Sequence, residues 1–95
     1  MNSVFNEDVD ALFDAILTLK NREECYAFFE DALTSREILD IAQRLKAAKM
    51  LRSGMCYLDV CKENHMSSAT LSRVSKALEG GRGGYDMVMN RVNEK

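Results

Sequence analysis

The run Ser67-Ser68-Ala69-Thr70-Leu71-Ser72-Arg73-Val74-Ser75-Lys76 sets five hydroxyls and two cations in a stretch with no carboxylate. Read as a helix from Ser68 to Leu78, the segment buries Leu71, Val74 and Leu78 at i, i+3, i+7 spacing and turns Ser68, Thr70, Ser72, Arg73, Ser75 and Lys76 outward. Hydroxyls and cations hold phosphate oxygens, and an arginine fork also matches O6 and N7 of guanine. A solvated helix face usually mixes both signs of charge, so this one-sided face suits a polyanion. The candidate DNA-binding residues are Ser67, Ser68, Ala69, Thr70, Ser72, Arg73 and Lys76. Arg73 is placed to read guanine or to hold a phosphate, and the sequence leaves both open. Lys49, Arg52 and Lys62 are candidates for phosphate contacts outside the groove, or for an ordinary cationic surface.

Other chemistry finds little support. Cys25, Cys56 and Cys61 are an odd number of thiols. Cys56 and Cys61 lack zinc-knuckle spacing, so the three read as small buried or half-buried side chains rather than a disulfide framework or a metal site. His65, the sole histidine, has no nucleophile and acid in a recognisable pattern, so no catalytic residue is assigned. The run Gly80-Gly81-Arg82-Gly83-Gly84 lacks the order of a phosphate-binding loop and reads as a hinge. No cofactor is implied.

The elements that must position the polar face form a helix-turn-helix at residues 57–78. Tyr57 to Glu63 supply a first short helix with Leu58, Val60 and Cys61 apolar. Asn64 and His65 interrupt it. His65 stands where such turns usually carry glycine, so it, or failing it Asn64, is expected at positive φ. Met66 plugs the gap, and Ser67 is the N-cap of the second helix. Upstream, residues 1–6 are expected to form no regular structure. Asn6 caps a helix from Glu7 to Lys20 with Val9, Leu12, Phe13, Ile16 and Leu17 on one face. Asn21-Arg22-Glu23-Glu24 and Thr34-Ser35-Arg36-Glu37 resemble capping boxes opening a second helix through Leu33 and a third to Arg52. The third carries Ile38, Ile41, Ala42, Leu45, Ala48 and Leu51 on one stripe and Leu39, Ala47 and Met50 beside it, wide enough for more than one neighbour. Ser53-Gly54 ends it. A last helix begins near Tyr85 with Val88, Met89 and Val92.

Leu33-Thr34-Ser35-Arg36-Glu37, Gln43-Arg44-Leu45, Ala69-Thr70-Leu71-Ser72-Arg73-Val74 and Gly83-Gly84-Tyr85-Asp86 together resemble the Trp-repressor superfamily, most closely the YerC/YecD branch of Trp-repressor-related proteins. The resemblance implies an all-α, Trp-repressor-like bundle of about six helices that forms an intertwined homodimer and binds DNA. It also implies a possible effector site, because Trp repressors hold indole between two arginines that match Arg44 and Arg73. Those repressors have glycine after the second arginine. This chain has Val74, whose branched side chain is expected to fill the slot, so tryptophan is an unlikely corepressor.

Ninety-five residues allow one domain, 1–95, with a limited core of its own, for which oligomerisation is a remedy. A net charge of −2 conceals an asymmetry. Residues 1–40 hold ten acidic and three basic side chains, and residues 41–95 hold five acidic and ten basic. The helix-turn-helix lies in the basic half, which permits a local positive face. Neither a membrane span nor a signal peptide is legible, so a cytoplasmic protein is expected. The leading expectation is a sequence-specific transcriptional regulator whose partners are double-stranded DNA and a second copy of itself. Its rival is a helix-turn-helix that serves only as a protein-interaction module.

Overall fold

The computed structural model describes residues 6–93, so the expectation for residues 1–5 lies outside the described residues. Six helices follow one another: α1 Glu7–Ile16, α2 Arg22–Ala32, α3 Ser35–Arg52, α4 Tyr57–Asn64, α5 Ser68–Gly80 and α6 Gly84–Asn93. No strand occurs among the described residues, and no helix there is long and apolar enough to cross a membrane. The chain divides into two compact units between Ile38 and Leu39.

In the first unit, side chains define the helix starts. Asn6 Oδ1 accepts from Val9 N at 2.9 Å and caps α1. α1 ends at Ile16, four residues earlier than the apolar spacing suggests. Thr18 Oγ1 donates to the Ala15 carbonyl at 2.6 Å, and Leu19 N bonds back only three residues to Ile16. Such side-chain bonds to a nearby carbonyl compete with continued helix. Lys20 N is then taken by Glu24 Oε1 at 2.9 Å, while Asn21 Oδ1 accepts from Glu24 N. The expected capping box thus closes one residue upstream of its cap. At Thr34 the box is complete: Thr34 Oγ1 accepts from Glu37 N, and Glu37 Oε1 accepts from Thr34 N at 2.9 Å. Neither α1 nor α2 contains a fully buried residue. Leu12, Phe13, Leu17 and Tyr26 are exposed.

The second unit holds the core. Ala47 and Ala48 of α3, Val60 of α4, Leu71 and Val74 of α5 and Met89 of α6 are buried, with Leu45, Met50, Leu51, Cys61, Met66, Leu78 and Tyr85 packed against them. Burying Val60, Leu71 and Val74 stabilises by roughly 1.5–3 kcal/mol each. The wide stripe of α3 is only partly covered: Leu39 and Ile41 remain more than half exposed. On α6, Val88 and Val92 also stay outside.

Two helix ends use the same device. After α3, Met55 N reaches the Met50 carbonyl and Gly54 N the Leu51 carbonyl, both at 3.1 Å, with Gly54 at φ 94°. After α4, Met66 N reaches the Cys61 carbonyl at 3.0 Å and His65 N the Lys62 carbonyl at 3.3 Å. His65 sits at φ 49°, ψ 44°, as the turn requires. It is the one non-glycine residue at positive φ among those described. A left-handed L-residue costs about 1–2 kcal/mol. His65→Gly is therefore expected to be neutral or to stabilise by up to about 1 kcal/mol, and His65→Val to destabilise. Urea unfolding of the two variants checks both signs.

Candidate nucleic-acid interface

α5 contacts α4 on one side and α6 on the other. Leu71 and Val74 are 0% and 1% exposed, which fixes the helix about its own axis. Ser67, Ser68, Ala69, Arg73 and Lys76 consequently lie exposed, and Thr70 and Ser72 are half-buried at their flank. All seven candidates belong to one helix and its cap. Ser75 is half-buried as well.

The N-terminus of α5 is built by Ser67. Its Oγ accepts from Thr70 N at 3.1 Å and donates its proton to Thr70 Oγ1 at 3.0 Å. The Ser67 hydroxyl is thus committed to the cap, with Thr70 N and Oγ1 as its partners. No acidic residue stands in the first turn. The uncompensated positive end of the helix dipole and the first-turn N–H groups therefore favour an anion there.

The turn before α5 is held from beneath by a residue that pattern reading treats as a simple interruption. Asn64 is 4% exposed. Its Nδ2 donates to the Val60 carbonyl at 2.9 Å and to Met50 Sδ at 3.3 Å, tying α4 to α3. An asparagine beside a left-handed residue marks a helix end in sequence; nothing there reveals the methionine fourteen positions upstream.

The outlying cations separate. Lys49 and Lys62 are exposed. Arg52 is instead engaged within the fold. Its Nε and Nη2 donate to Asp86 Oδ1 and Oδ2 at 2.9 and 2.8 Å, and Nη2 also donates to the Leu78 carbonyl at 2.9 Å. That geometry gives Arg52 a structural role that its reading as a candidate phosphate contact did not include. The hydrogen bond from Arg52 holds the Asp86 carboxyl below its ordinary value, desolvation opposes this, and the Arg52 charge adds to the lowering. For Arg52 the Asp86 bond raises the pKa, against desolvation and with the charges of Asp86 and Glu79. Arg44, the other expected effector ligand, is half-buried on α3.

These features agree with the comparisons. The family model described as Trp repressor protein matches residues 7–93. The Bacillus subtilis (strain 168) protein YerC, itself uncharacterized, is 47% identical over 88 residues, covering 93% of this chain and 85% of that one. The crystal structure of a TrpR-like protein from Eubacterium eligens ATCC 27750 superposes with a TM-score of 0.88 at 46% identity, covering 93% and 91%. A Staphylococcus aureus structure gives 0.89 at 46% identity, covering 97% and 92%. The chain belongs to the Trp repressor family, and its fold is the all-α, Trp-repressor-like bundle.

The Arg52–Asp86 pair makes an acid-side prediction. Because the folded Asp86 pKa lies below its unfolded value, the unfolded chain takes up the proton first as pH falls. The pair's contribution is complete above the ordinary carboxylate pKa and is lost as pH drops through the lower folded value. Side chains 48% and 41% exposed are well screened, so the effect is small. Thermal melts of wild type and Asp86→Asn are expected to differ at neutral pH and to converge as the pH falls below the lowered Asp86 value.

Proposed function

We propose that this Trp-repressor-family protein is a sequence-specific DNA-binding transcriptional regulator, a repressor in the simplest case, acting as a homodimer without tryptophan as corepressor. The observation that carries this reading is the exposed face of α5, with hydroxyls, Arg73 and Lys76 around a helix N-terminus that no carboxylate neutralises. It lies in the half of the chain with a surplus of basic residues. In helix-turn-helix geometry such a helix enters the major groove N-terminus first. Ser68, Ala69 and Thr70 then meet base edges and phosphates, Ser72, Arg73 and Lys76 flank them, and Ser67 holds the cap.

The homodimer is supported by apolar surface that one chain leaves uncovered. α1 exposes Leu12 and Phe13, with Leu17 81% exposed just beyond. In the second unit, Ile41, Leu45, Ala77, Arg82, Gly84, Tyr85 and Val88 line a groove of about 460 Å³ that is almost wholly apolar. A second copy is the occupant that the family resemblance offers for both. Two-fold symmetry then presents two copies of α5 to half-sites roughly 34 Å apart.

Salt decides between this reading and a module that binds only proteins. Affinity for a duplex selected from random sequence is expected to fall on the order of 10³-fold between 50 and 200 mM salt if about six phosphates are neutralised. Arg73→Ala is expected to weaken specific binding by about 1–3 kcal/mol if Arg73 reads guanine. Binding that ignores salt, or no selected duplex, sends the reading to the protein-interaction alternative.

Independence from tryptophan is supported by Val74. The side chain beside Arg73 is 1% exposed and belongs to the core cluster, so a flat ring cannot lie against that stretch of helix without displacing packed atoms. Calorimetric titration of tryptophan, with and without DNA, is expected to give no saturable heat and no gain in DNA affinity. Micromolar binding contradicts the volume argument.

A further inference from the structure

Arg52 ends α3, Leu78 lies in the last turn of α5, and Asp86 lies in the first turn of α6. One guanidinium joins all three. Its fork takes both oxygens of Asp86, and Nη2 is shared with the Leu78 carbonyl. That carbonyl belongs to the last turn of α5 and has no partner within the helix. Between Leu78 and Asp86 runs the glycine-rich loop. Gly81 caps the end of α5: its N bonds to the Ala77 carbonyl at 3.1 Å, and a Cβ on Gly81 would stand 2.6 Å from the same oxygen. The loop has few side chains of its own with which to hold the two helices it joins.

We propose that Arg52, through Asp86 and the Leu78 carbonyl, is a positioning residue for the DNA interface: it sets the tilt of α5 and thereby the placement of Arg73 and Lys76. The proposal rests on the DNA-binding reading above. Exposed ion pairs add little to global stability, so the consequence of this one is geometric. α5 is about 20 Å long, and a tilt of ~10° shifts one end against the other by about 3 Å. Recognition tolerates roughly 0.5 Å. A bidentate arginine fork with a third bond restricts that tilt as a lysine cannot, because an ammonium lacks the planar pair of donors. It also gives Arg52, though basic and in the basic half, a role apart from phosphate contact: its Nε and Nη2 donors face Asp86 and the end of α5.

Charge and geometry predict opposite signs for Asp86→Asn. Removing a carboxylate from the basic unit strengthens DNA binding if only charge matters. If Asp86 anchors the clamp, the variant weakens specific binding by about fivefold or more, with the slope of log affinity against log salt unchanged. Arg52→Lys, which keeps the charge but lacks the planar fork, is expected to weaken specific binding likewise, again with the slope unchanged. In the free full-length protein, both variants are expected to speed amide exchange at residues 79–84, with circular dichroism confirming retained helix. Stronger or equal binding by Asp86→Asn overturns the proposal, as does a slope reduced by about one in Arg52→Lys, the mark of a lost phosphate contact. If wild type binds no duplex, the DNA reading fails by itself, and unchanged exchange at residues 79–84 still overturns the clamp.

Discussion

Leu71 and Val74 stand three residues apart on α5 and are the side chains through which that helix is seated on Val60, Ala47, Ala48 and Met89. With 3.6 residues per turn, burying those two decides what the remaining positions face. Ser68, Ala69, Arg73 and Lys76 are presented to solvent because Leu71 and Val74 are not. The same burial bears on the effector question, since Val74 is a core residue before it is a neighbour of Arg73. One packing constraint thus connects the fold, the polar face and the expected indifference to tryptophan. A rotation of α5 by one residue would bury Arg73 or Thr70 without partners, at a desolvation cost of several kcal/mol.

Around that seat, polar contacts define the helix ends. Ser67 caps the start of α5, His65 turns the chain just before it, Asn64 ties that turn to Met50, and Arg52 grips the far end. Together they hold the end of α4 and both ends of α5, short helices with too few residues to hold themselves. The second unit therefore offers a small but well-braced platform. The first unit is different: its helices are capped as firmly, yet they bury nothing completely. Their apolar residues are consistent with a role in assembly rather than in a core of the single chain.

What was legible in the sequence was local. Asn6, Asn21, Thr34 and Ser67 announce helix starts through bonds that span three residues, and each is found at its cap. The left-handed turn at His65 was legible because a spacing demanded it and histidine tolerates it. The core stripe of α5 followed from periodicity. The contacts that were missed are non-local. Arg52 meets Asp86 across thirty-four positions and Asn64 meets Met50 across fourteen, and no pattern along the chain links such pairs. The early end of α1 was missed because Leu17 continues the apolar spacing while Thr18 redirects the backbone. The exposure of Leu39, Ile41, Val88 and Val92 was hidden for another reason. An apolar stripe records that a face seeks cover, but not whether its own chain or a second one supplies it.

The central claim is that α5 addresses the major groove of DNA, in pairs related by a two-fold axis. Hydroxyl-radical footprinting of a duplex enriched from random sequence, at low salt, tests it most directly. The account predicts two protected patches, centred about 10 base pairs apart on one face of the duplex. Both should be lost together when the exposed residues of α5 are replaced. Failure to enrich any duplex, or protection that persists after those replacements, would contradict it.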